Sequence, residues 1–301
     1  MIRKLANAIF DSAIMRGFRI KRVSRLISTG LPKQMRPVLN YLVTRTVDEN
    51  TAAVAKLAED RRREIASQGD KRIEIYYSPK PGSSGNDSSI DARPQTGKVL
   101  EFTMRDIAKT GKNKTWGTAL YLIAREFESS VGIELGACAG ISGIYLSSAP
   151  NLKKFITVEG SEALAKIAQE SLKSIKNVKV INALFDEAID SELPSLDSKI
   201  DLAYIDGHHE KTATIHYFNR LLPFLNPNSV VIFDDISWSS DMRDAWNILS
   251  KRSEFADAMD LGVIGVCVMK TKFDSTEVEP IYWNLQPIIG RCGIGKPLGW
   301  N

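Results

Sequence analysis

The spacing of apolar residues predicts two kinds of structure along this chain. In the first part, apolar side chains recur at roughly helical spacing among basic residues, which predicts one or two amphipathic helices over residues 2–27. A long charged helix is predicted over residues 47–68. The apolar positions of the first segment are Leu5, Ile9, Ile14, Phe18, Val23 and Ile27.

From about residue 99 the pattern changes to short apolar runs that alternate with helical segments. Strands and helices that alternate at this length form right-handed crossovers and a mainly parallel sheet, so an α/β domain is expected. The helical segments include residues 162–173 and 212–222. The candidate strands are 131–135, 154–158, 178–182, 200–205, 229–233 and 263–269.

These patterns divide the chain into four parts. Residues 1–77 form a basic helical extension, and residues 78–98, dense in Pro, Gly and Ser, form a flexible loop. The α/β domain spans residues 99–272, and residues 273–301 form a tail that either covers a sheet edge or makes a homodimer contact.

Composition narrows the class of protein. With 43% apolar and 25% charged residues and no apolar run of about 18 residues, the chain is typical of a soluble protein. Three scattered cysteines fit neither a disulfide framework nor a spaced zinc site, so a cytoplasmic location is expected.

The net charge of +4 is unevenly distributed, since residues 1–45 contain ten Lys or Arg and one acid, Asp11. Three uses of this charge stay open: solvation of helices that pack on the main domain, peripheral contact with the inner membrane face, and a targeting or nucleic-acid-binding arm. A nucleic-acid partner is disfavoured because the core lacks a basic stripe and a base-stacking motif.

The stretch of residues 131–148, VGIELGACAGISGIYLSS, is the most informative motif. An apolar strand containing Glu134 leads into a turn with Gly136 and Gly140, and a helix follows. In a doubly wound sheet, ligands bind outside the carboxyl ends of the strands, where Gly lets the backbone approach closely. The turn is expected to hold a nucleoside-bearing cofactor, although Gly136 and Gly140 could instead only permit helix-on-sheet packing.

Glu159 supplies a second acidic signal, 19 residues after Gly140 at the end of the next strand. A carboxylate there is placed to accept hydrogen bonds from both ribose hydroxyls. Cys138 stands where a dinucleotide fingerprint has the glycine that makes room for pyrophosphate. S-adenosylmethionine has no pyrophosphate, so it is favoured over a nicotinamide cofactor.

The motifs IELGACAGISGIYLSSAP, TVEGSEALAKIAQESL, DLAYIDGHHEKTATIHYF and VVIFDDISWSSDMRDAWNIL together resemble bacterial class I methyltransferases of methyltransferase family 24. The resemblance implies a Rossmann-like, doubly wound seven-stranded sheet whose last strand is antiparallel, with S-adenosylmethionine across the first strands. It implies that Glu134, Gly136 and Gly140 line the methionine side, that Glu159 binds the ribose, and that Ala183 and Leu184 border the adenine. The complete cofactor set expected from it is Glu134, Gly136, Ala137, Gly140, Glu159, Gly160, Ala183, Leu184 and Asp206.

Three acids, Asp206, Asp234 and Asp235, follow two further apolar strands. Because the carboxyl ends of parallel strands meet at one edge, these acids are expected at the cofactor rim and could hold Mg²⁺ through oxygen ligands. This arrangement resembles metal-dependent O-methyltransferases. The alternative is that the acids only face the cofactor and cap helices.

All three histidines, His208, His209 and His216, lie in one short segment. His209 matches a histidine found in the resembled family, and a His with a pKa near neutrality suits a general base that takes the acceptor's proton. His209 and Asp206 are the predicted catalytic residues, against the alternative that His209 is a helix-start residue bonded to the backbone. A zinc site is disfavoured because no cysteine is nearby.

The favoured function is O-methylation of a hydroxyl on a small molecule or glycan, with S-adenosylmethionine as cofactor and with or without assistance from Mg²⁺. The alternatives are an NAD-dependent oxidoreductase on a Rossmann fold and a non-catalytic binding module that keeps the fold.

Overall fold

The structure is a computed structural model that describes residues 13–76, 99–272 and 278–290. Leu5, Ile9 and the predicted loop of residues 78–98 lie outside the described residues. Among the described residues, no helix is both long enough and apolar enough to cross a membrane.

The N-terminal helices are confirmed. They are α1 (Ala13–Ser28) and α3 (Glu49–Ser67), and between them lies a helix that the sequence did not predict, α2 (Met35–Thr44). Asp48 begins α3, because its side chain accepts a hydrogen bond from the backbone N–H of Thr51 at 2.8 Å. Residues on the inner faces of these helices, such as Val23, Leu39 and Ile65, are fully buried and share one core with the α/β domain. The extension is therefore packed on the domain.

A short antiparallel hairpin connects the two parts, formed by β1 (Arg72–Ile75) and β2 (Leu100–Thr103). Two helices follow, α4 (Met104–Thr110) and α5 (Lys114–Glu126). The predicted boundaries at residues 77 and 99 therefore fall between two paired strands.

The main sheet has strand order β5-β4-β3-β6-β7-β9-β8-β10, and β9 runs antiparallel to both of its neighbours. The other pairs are parallel, as the spacing predicts. The strands are β3 (Val131–Leu135), β4 (Lys154–Glu159), β5 (Val178–Asn182), β6 (Ile200–Ile205), β7 (Leu225–Phe233), β8 (Phe255–Asp260), β9 (Gly265–Met269) and β10 (Ile281–Asn284).

Helices cover both faces of this sheet, as a doubly wound fold requires. They are α6 (Ile141–Ser147), α7 (Glu162–Leu172), α8 (Phe185–Glu192), α9 (Lys211–Leu221), α10 (Ser240–Leu249) and α11 (Gln286–Ile289). Alternate strand residues face two separate cores: Tyr204 and Ile232 lie in the core shared with the extension, whereas Ile205 and Phe233 lie in the core on the opposite face.

Two features of the sheet differ from the expectation. Strand β8 is absent from the six candidate strands, since FADAMD has no β-branched residue and two acids. Strand β10 is an eighth strand that pairs in parallel with β8, and the indole Nε1–H of Trp283 donates to Asp257 at 2.8 Å. Residues 281–284 therefore cover a sheet edge, one of the two uses predicted for the tail.

Candidate active site

The glycine turn, residues 136–140, joins β3 to α6 at the carboxyl edge of the sheet. The backbone N–H groups of Gly136 and Ala137 both donate to the carbonyl of Val158 at 3.0 Å, so the turn is fastened to the end of β4. The turn closes on itself where the N–H of Gly140 donates to the carbonyl of Ala137 at 2.8 Å. Its position confirms that the motif lies at the ligand-binding edge of a doubly wound sheet.

Sterics require glycine at two positions of this turn. Gly136 has a φ of 113°, and a Cβ there would lie 2.0 Å from the carbonyl oxygen of Asp206. Gly140 has a φ of 78°, and its Cβ would lie 3.1 Å from the Cα of Ala168 on α7. Left-handed backbone and close approach both favour Gly, so the turn lies tightly between β6 and α7.

Cys138 has the left-handed φ of 47° without being glycine. Its thiol lies 3.2 Å from the hydroxyl of Thr110 at the end of α4, and burial raises the thiol pKa to about 12. A thiol with that pKa stays protonated near neutrality, so Cys138 is a packing residue and not a nucleophile.

Glu159 ends β4 and is nearly buried, with 5% exposure. Its carboxylate accepts a hydrogen bond from the N–H of Cys138 at 2.8 Å and another from the N–H of Ser161 at 2.9 Å. The second predicted carboxylate is therefore in direct contact with the glycine turn, between that turn and the loop that contains Gly160.

Glu134 lies on β3, one residue before its end, and is fully buried. Burial raises the pKa of Glu134 to about 7, although the hydroxyls of Ser142 and Thr157 oppose the shift. The Thr157 hydroxyl donates to the Glu134 carboxylate at 2.5 Å. A carboxyl held behind the turn in this way is available as a hydrogen-bond partner in either protonation state.

The end of β5 completes this side of the edge. The side-chain amide of Asn182 donates to the carbonyls of Glu159 at 2.9 Å and Gly160 at 3.3 Å. Ala183 and Leu184 follow and are half-buried. They lie next to the Glu159 loop, as an adenine contact would require, and that role remains a prediction.

An acid cluster, defined as Asp206, Asp234 and Asp235, lies at the ends of β6 and β7. The hydroxyl of Tyr204 donates to Asp206 at 2.9 Å and also contacts Asp234. Burial, and then the charge of Asp234, raises the pKa of Asp206 well above its usual range. The three predicted acids are therefore brought together, and their close approach in a buried site favours the protonated form of Asp206.

Lys112, in the loop between α4 and α5, supplies the opposite charge. Its Nζ lies 2.7 Å from an oxygen of Asp234 and 2.7 Å from an oxygen of Asp235. Burial alone would lower the pKa of Lys112, but the charges of the three acids raise it above its usual value. The ammonium also lowers the pKa of Asp234, against the opposing effect of burial.

The three histidines separate into three environments. His209 lies at the acid cluster, 3.8 Å from Asp206 and 3.9 Å from Asp235, and stacks on Trp238 at 5.9 Å between ring centroids. His208 contacts the hydroxyl of Tyr217 at 3.0 Å, and His216 pairs with Asp186 at 2.8 Å. Of the predicted histidines, His209 is the one that faces the acids.

A divalent ion can be tested against these residues. One ligand atom each from Asp206, His209 and Asp235 lies within 4.8 Å of the others, so this group could hold a metal. The set shares two residues with the predicted one, but it replaces Asp234 with His209. Asp234 accepts hydrogen bonds from Tyr204 and from the N–H of Asp235, in addition to the ion pair with Lys112.

The position of Lys112 determines whether a divalent ion fits beside these carboxylates. An ion bound to Asp235 would share that carboxylate with an ammonium 2.7 Å away, and like charges repel strongly where solvent is largely excluded. Mg²⁺ also prefers a shell made of oxygen ligands, whereas this group offers one ring nitrogen. Because Lys112 already pairs with Asp234 and Asp235, the three predicted acids as arranged here do not fit Mg²⁺.

Sequence reasoning missed Lys112 and Tyr204 as site residues. Tyr204 carried a signal, since it lies two residues before Asp206 and, by the alternation of side chains along a strand, faces the same side of the sheet. Lys112 is one of several lysines between residues 109 and 114, and nothing in the local sequence separates it from the others.

The topology and the site define a class of protein. Strands β3–β9 form the predicted seven-stranded sheet with one antiparallel strand, the glycine turn follows its first strand, and a carboxylate lies at the tip of its second strand. These are the features that the resemblance to class I methyltransferases implies.

Residues 133–236 match the family model described as a methyltransferase domain, methyltransferase family 24. The predicted family is therefore confirmed over the segment that contains the turn, Glu159 and the acid cluster. The chain carries a methyltransferase domain in this segment.

Among curated proteins, an uncharacterized protein of Acanthamoeba polyphaga mimivirus is 28% identical over 162 residues, covering 46% of this chain and 72% of that protein. This relative is viral, so the bacterial part of the predicted resemblance is not shown.

Solved structures with a similar fold include two O-methyltransferases. The Bacillus cereus O-methyltransferase in complex with SAH has 20% identity and a TM-score of 0.46, covering 53% of this chain and 83% of that chain. The O-methyltransferase TomG of Streptomyces achromogenes, involved in tomaymycin synthesis and in complex with SAM, has 16% identity and a TM-score of 0.47, covering 75% and 91%.

Proposed function

We propose that this protein transfers the methyl group of S-adenosylmethionine to a hydroxyl oxygen of a small molecule or glycan. The observation that carries the proposal is the contact between Glu159 and the glycine turn, 2.8 Å from carboxylate to Cys138 N–H. It places a buried carboxylate against a turn of small residues, the arrangement expected for an adenosyl ligand.

The residues nearby match the needs of the reaction. The acceptor oxygen attacks the methyl carbon, the new C–O bond forms as the C–S bond breaks, and S-adenosylhomocysteine leaves with the sulfur electron pair. The acceptor's proton must go to a base, and His209 is the group we assign to that step. Asp235, 3.9 Å from its ring, would stabilise the imidazolium that results, and Asp206 lies 3.8 Å from the other ring nitrogen.

The cofactor itself supplies an activated methyl group, so the protein's tasks are orientation and proton removal. Glu134, Gly136, Ala137 and Gly140 would hold the methionine side, and Glu159 with Gly160 would hold the ribose. Trp238 stacks on His209 and is 38% exposed, a position suited to the mouth of an acceptor site.

Isothermal titration calorimetry with S-adenosylhomocysteine tests whether Glu159 binds the cofactor. The Glu159→Gln variant is expected to lose at least about tenfold in affinity, because the carboxylate accepts charge-assisted hydrogen bonds. Glu170→Gln is the matched control, since Glu170 is exposed on α7 and pairs with Lys173. Binding of NAD in place of S-adenosylhomocysteine would support the oxidoreductase alternative and overturn the proposal.

The role of His209 is tested by the pH dependence of methyl transfer. His209→Ala is expected to lower kcat about 10²-fold or more and to remove the rise in rate through the pH range in which a histidine titrates. His216→Ala, whose ring pairs with Asp186 away from the acid cluster, is the control. A full-rate His209→Ala enzyme with an unchanged pH profile would exclude His209 as the base.

We also propose that α1 contacts an anionic membrane surface. Ile14 and Phe18, one helical turn apart, are 72% and 62% exposed. Arg16, Lys21, Arg22 and Arg25 are exposed on the same helix. Exposed apolar residues among basic ones are typical of helices that lie in a membrane interface.

Co-sedimentation with vesicles tests this contact. Binding is expected to phosphatidylserine vesicles but not to phosphatidylcholine vesicles, and it should fall in the Phe18→Ser variant and at high salt. Equal binding of wild type and Phe18→Ser would contradict it.

A further inference from the structure

Lys112 differs from the other lysines of its segment. Its side chain is 13% exposed and reaches two carboxylates, whereas Lys109, three residues earlier, is 51% exposed and pairs with Asp106 on its own helix. Placing an ammonium among carboxylates in a site largely closed to water requires close pairing, and Lys112 has it on two sides. The ion pairs therefore fix the ammonium of Lys112 in the site.

The N-terminal extension holds the loop that carries Lys112. Arg62 on α3 donates to the backbone carbonyls of Ala108 at 2.7 Å and Gly111 at 3.3 Å, and it also contacts the carbonyl of Lys112. The guanidinium is itself paired with Glu59 at 3.2 Å. A planar group that contacts three carbonyls fixes the end of α4 and the start of the loop in one arrangement.

The charges around Lys112 indicate the role of its ammonium in the site. Asp234 and Asp235 are adjacent in sequence and meet one ammonium, in the part of the site where a metal-dependent enzyme would hold its cation. An ammonium has three N–H groups, and the two ion pairs use two of them. The third N–H is left for a further oxygen.

We propose that Lys112 is the resident cation of the acceptor site, that it takes the place of a divalent metal ion, and that Arg62 is the positioning residue that holds it there. This inference rests on the proposed O-methyltransferase function and names how that site binds its acceptor. Lys112 pairs with Asp234 and Asp235, offsets one of their two negative charges and donates a hydrogen bond to the acceptor oxygen, while His209 receives the proton. The acceptor is then a compound with a hydroxyl beside a second oxygen or an anionic oxygen, which an ammonium can bind.

Titration with Mn²⁺ alone tests whether Lys112 takes the place of a metal ion. Binding is monitored by calorimetry and by the electron paramagnetic resonance signal of Mn²⁺. Wild type is expected to bind Mn²⁺ weakly, and Lys112→Met is expected to gain at least about tenfold in affinity because a cation next to the ligands is removed. Lys109→Met is the matched control and should behave as wild type. Equal Mn²⁺ affinity in wild type and Lys112→Met would overturn the proposal.

A charge-preserving variant separates the cation from the shape of the side chain. Lys112→Arg is expected to keep the weak Mn²⁺ binding of wild type, although its larger fork should reduce methyl transfer. A tenfold gain of Mn²⁺ affinity in Lys112→Arg would overturn the proposal, since the positive charge would then not be what excludes the metal.

Binding of S-adenosylhomocysteine distinguishes failure of this inference from failure of the proposed function. Every variant that keeps wild-type affinity for this ligand has an intact cofactor site, so an unchanged Mn²⁺ affinity then counts against Lys112 alone. A wild-type protein that does not bind S-adenosylhomocysteine would count against the proposed function.

The role of Arg62 is tested by a readout that a purely structural residue would not change. Arg62→Gln is expected to raise Mn²⁺ affinity by several-fold, because the loop can then withdraw Lys112, and to raise KM for the acceptor more than it lowers kcat. Arg62→Lys should restore part of both effects. A loss of thermal stability with unchanged Mn²⁺ affinity and KM would assign Arg62 a structural role only.

Discussion

The two halves of the ligand-binding edge are built by different means. The proposed cofactor half, defined as the glycine turn with Glu134 and Glu159 and called the cofactor half below, is made from one continuous βαβ unit and held by backbone hydrogen bonds and close contacts. The proposed acceptor half, defined as Lys112, Asp206, His209, Asp234 and Asp235 and called the acceptor half below, draws its charges from three separate stretches of chain.

The difference shows why one fold serves many acceptors. A cofactor that never changes can be recognised by backbone shape, which tolerates little variation. An acceptor site made of side chains from separate loops can be altered one residue at a time without disturbing the sheet. Substitutions should therefore affect stability most in the cofactor half and acceptor chemistry most in the acceptor half.

The largest expected effect is that of Gly136→Ala. A Cβ there would lie 2.0 Å from the Asp206 carbonyl oxygen at a positive φ, so backbone must move, and the free energy of unfolding should fall by more than about 3 kcal/mol. Urea denaturation followed by circular dichroism measures it. Gly17→Ala on α1, where no atom lies within 4 Å, is the control and should be neutral or stabilising. Equal stability of the two variants would contradict the claim that close contacts at the glycine turn make substitutions there destabilising.

The next effect is a pH dependence carried by Glu134. Its pKa is raised from 4.5 to about 7 by burial, so the folded state binds a proton more tightly than the unfolded state does. The stability that this proton gives is present in full below pH 4.5 and is lost as the pH rises through about 7. Relative to Glu134→Gln, the wild type should lose about 2–3 kcal/mol over that interval.

Urea denaturation at several pH values between 4.5 and 7.5 checks this difference, with the Gln variant as the reference because it cannot titrate. Parallel stability profiles for the two proteins would show that the pKa of Glu134 is not raised in the folded state.

The smallest of the three effects is that of Tyr204→Phe. This variant tests whether a change in the acceptor half leaves the cofactor half unaffected. Removing the hydroxyl leaves Asp206 and Asp234 without a shared donor, which should cost about 1–3 kcal/mol of stability and lower methyl transfer. Affinity for S-adenosylhomocysteine should stay within about twofold, because the cofactor half is held by other contacts.

Tyr282→Phe is the matched control, since its hydroxyl donates to Asp260 at 3.0 Å near the opposite edge of the sheet. A large loss of S-adenosylhomocysteine affinity in Tyr204→Phe would show that the two halves are not independent.

Much of the fold was predictable from the sequence because its signals are local. Alternating apolar runs and helical patterns gave the parallel sheet, and the glycines with Glu159 gave the cofactor half, since both follow from spacing within one βαβ unit. Strand β8 was missed because its acids and alanines lack strand propensity, and β10 because it is a four-residue strand in the tail, beyond the segment that the motifs cover.

The sequence by itself determined the class of fold, the glycine turn and the acids at the strand ends, because chain periodicity and turn sterics act over a few residues. Tertiary structure alone decided that Asp234 pairs with Lys112, that His209 and not His216 faces the acids, and that Arg62 of the extension fixes the loop beside them. These contacts depend on long-range packing and on charges that meet only when the chain is folded, and no local pattern encodes such a meeting.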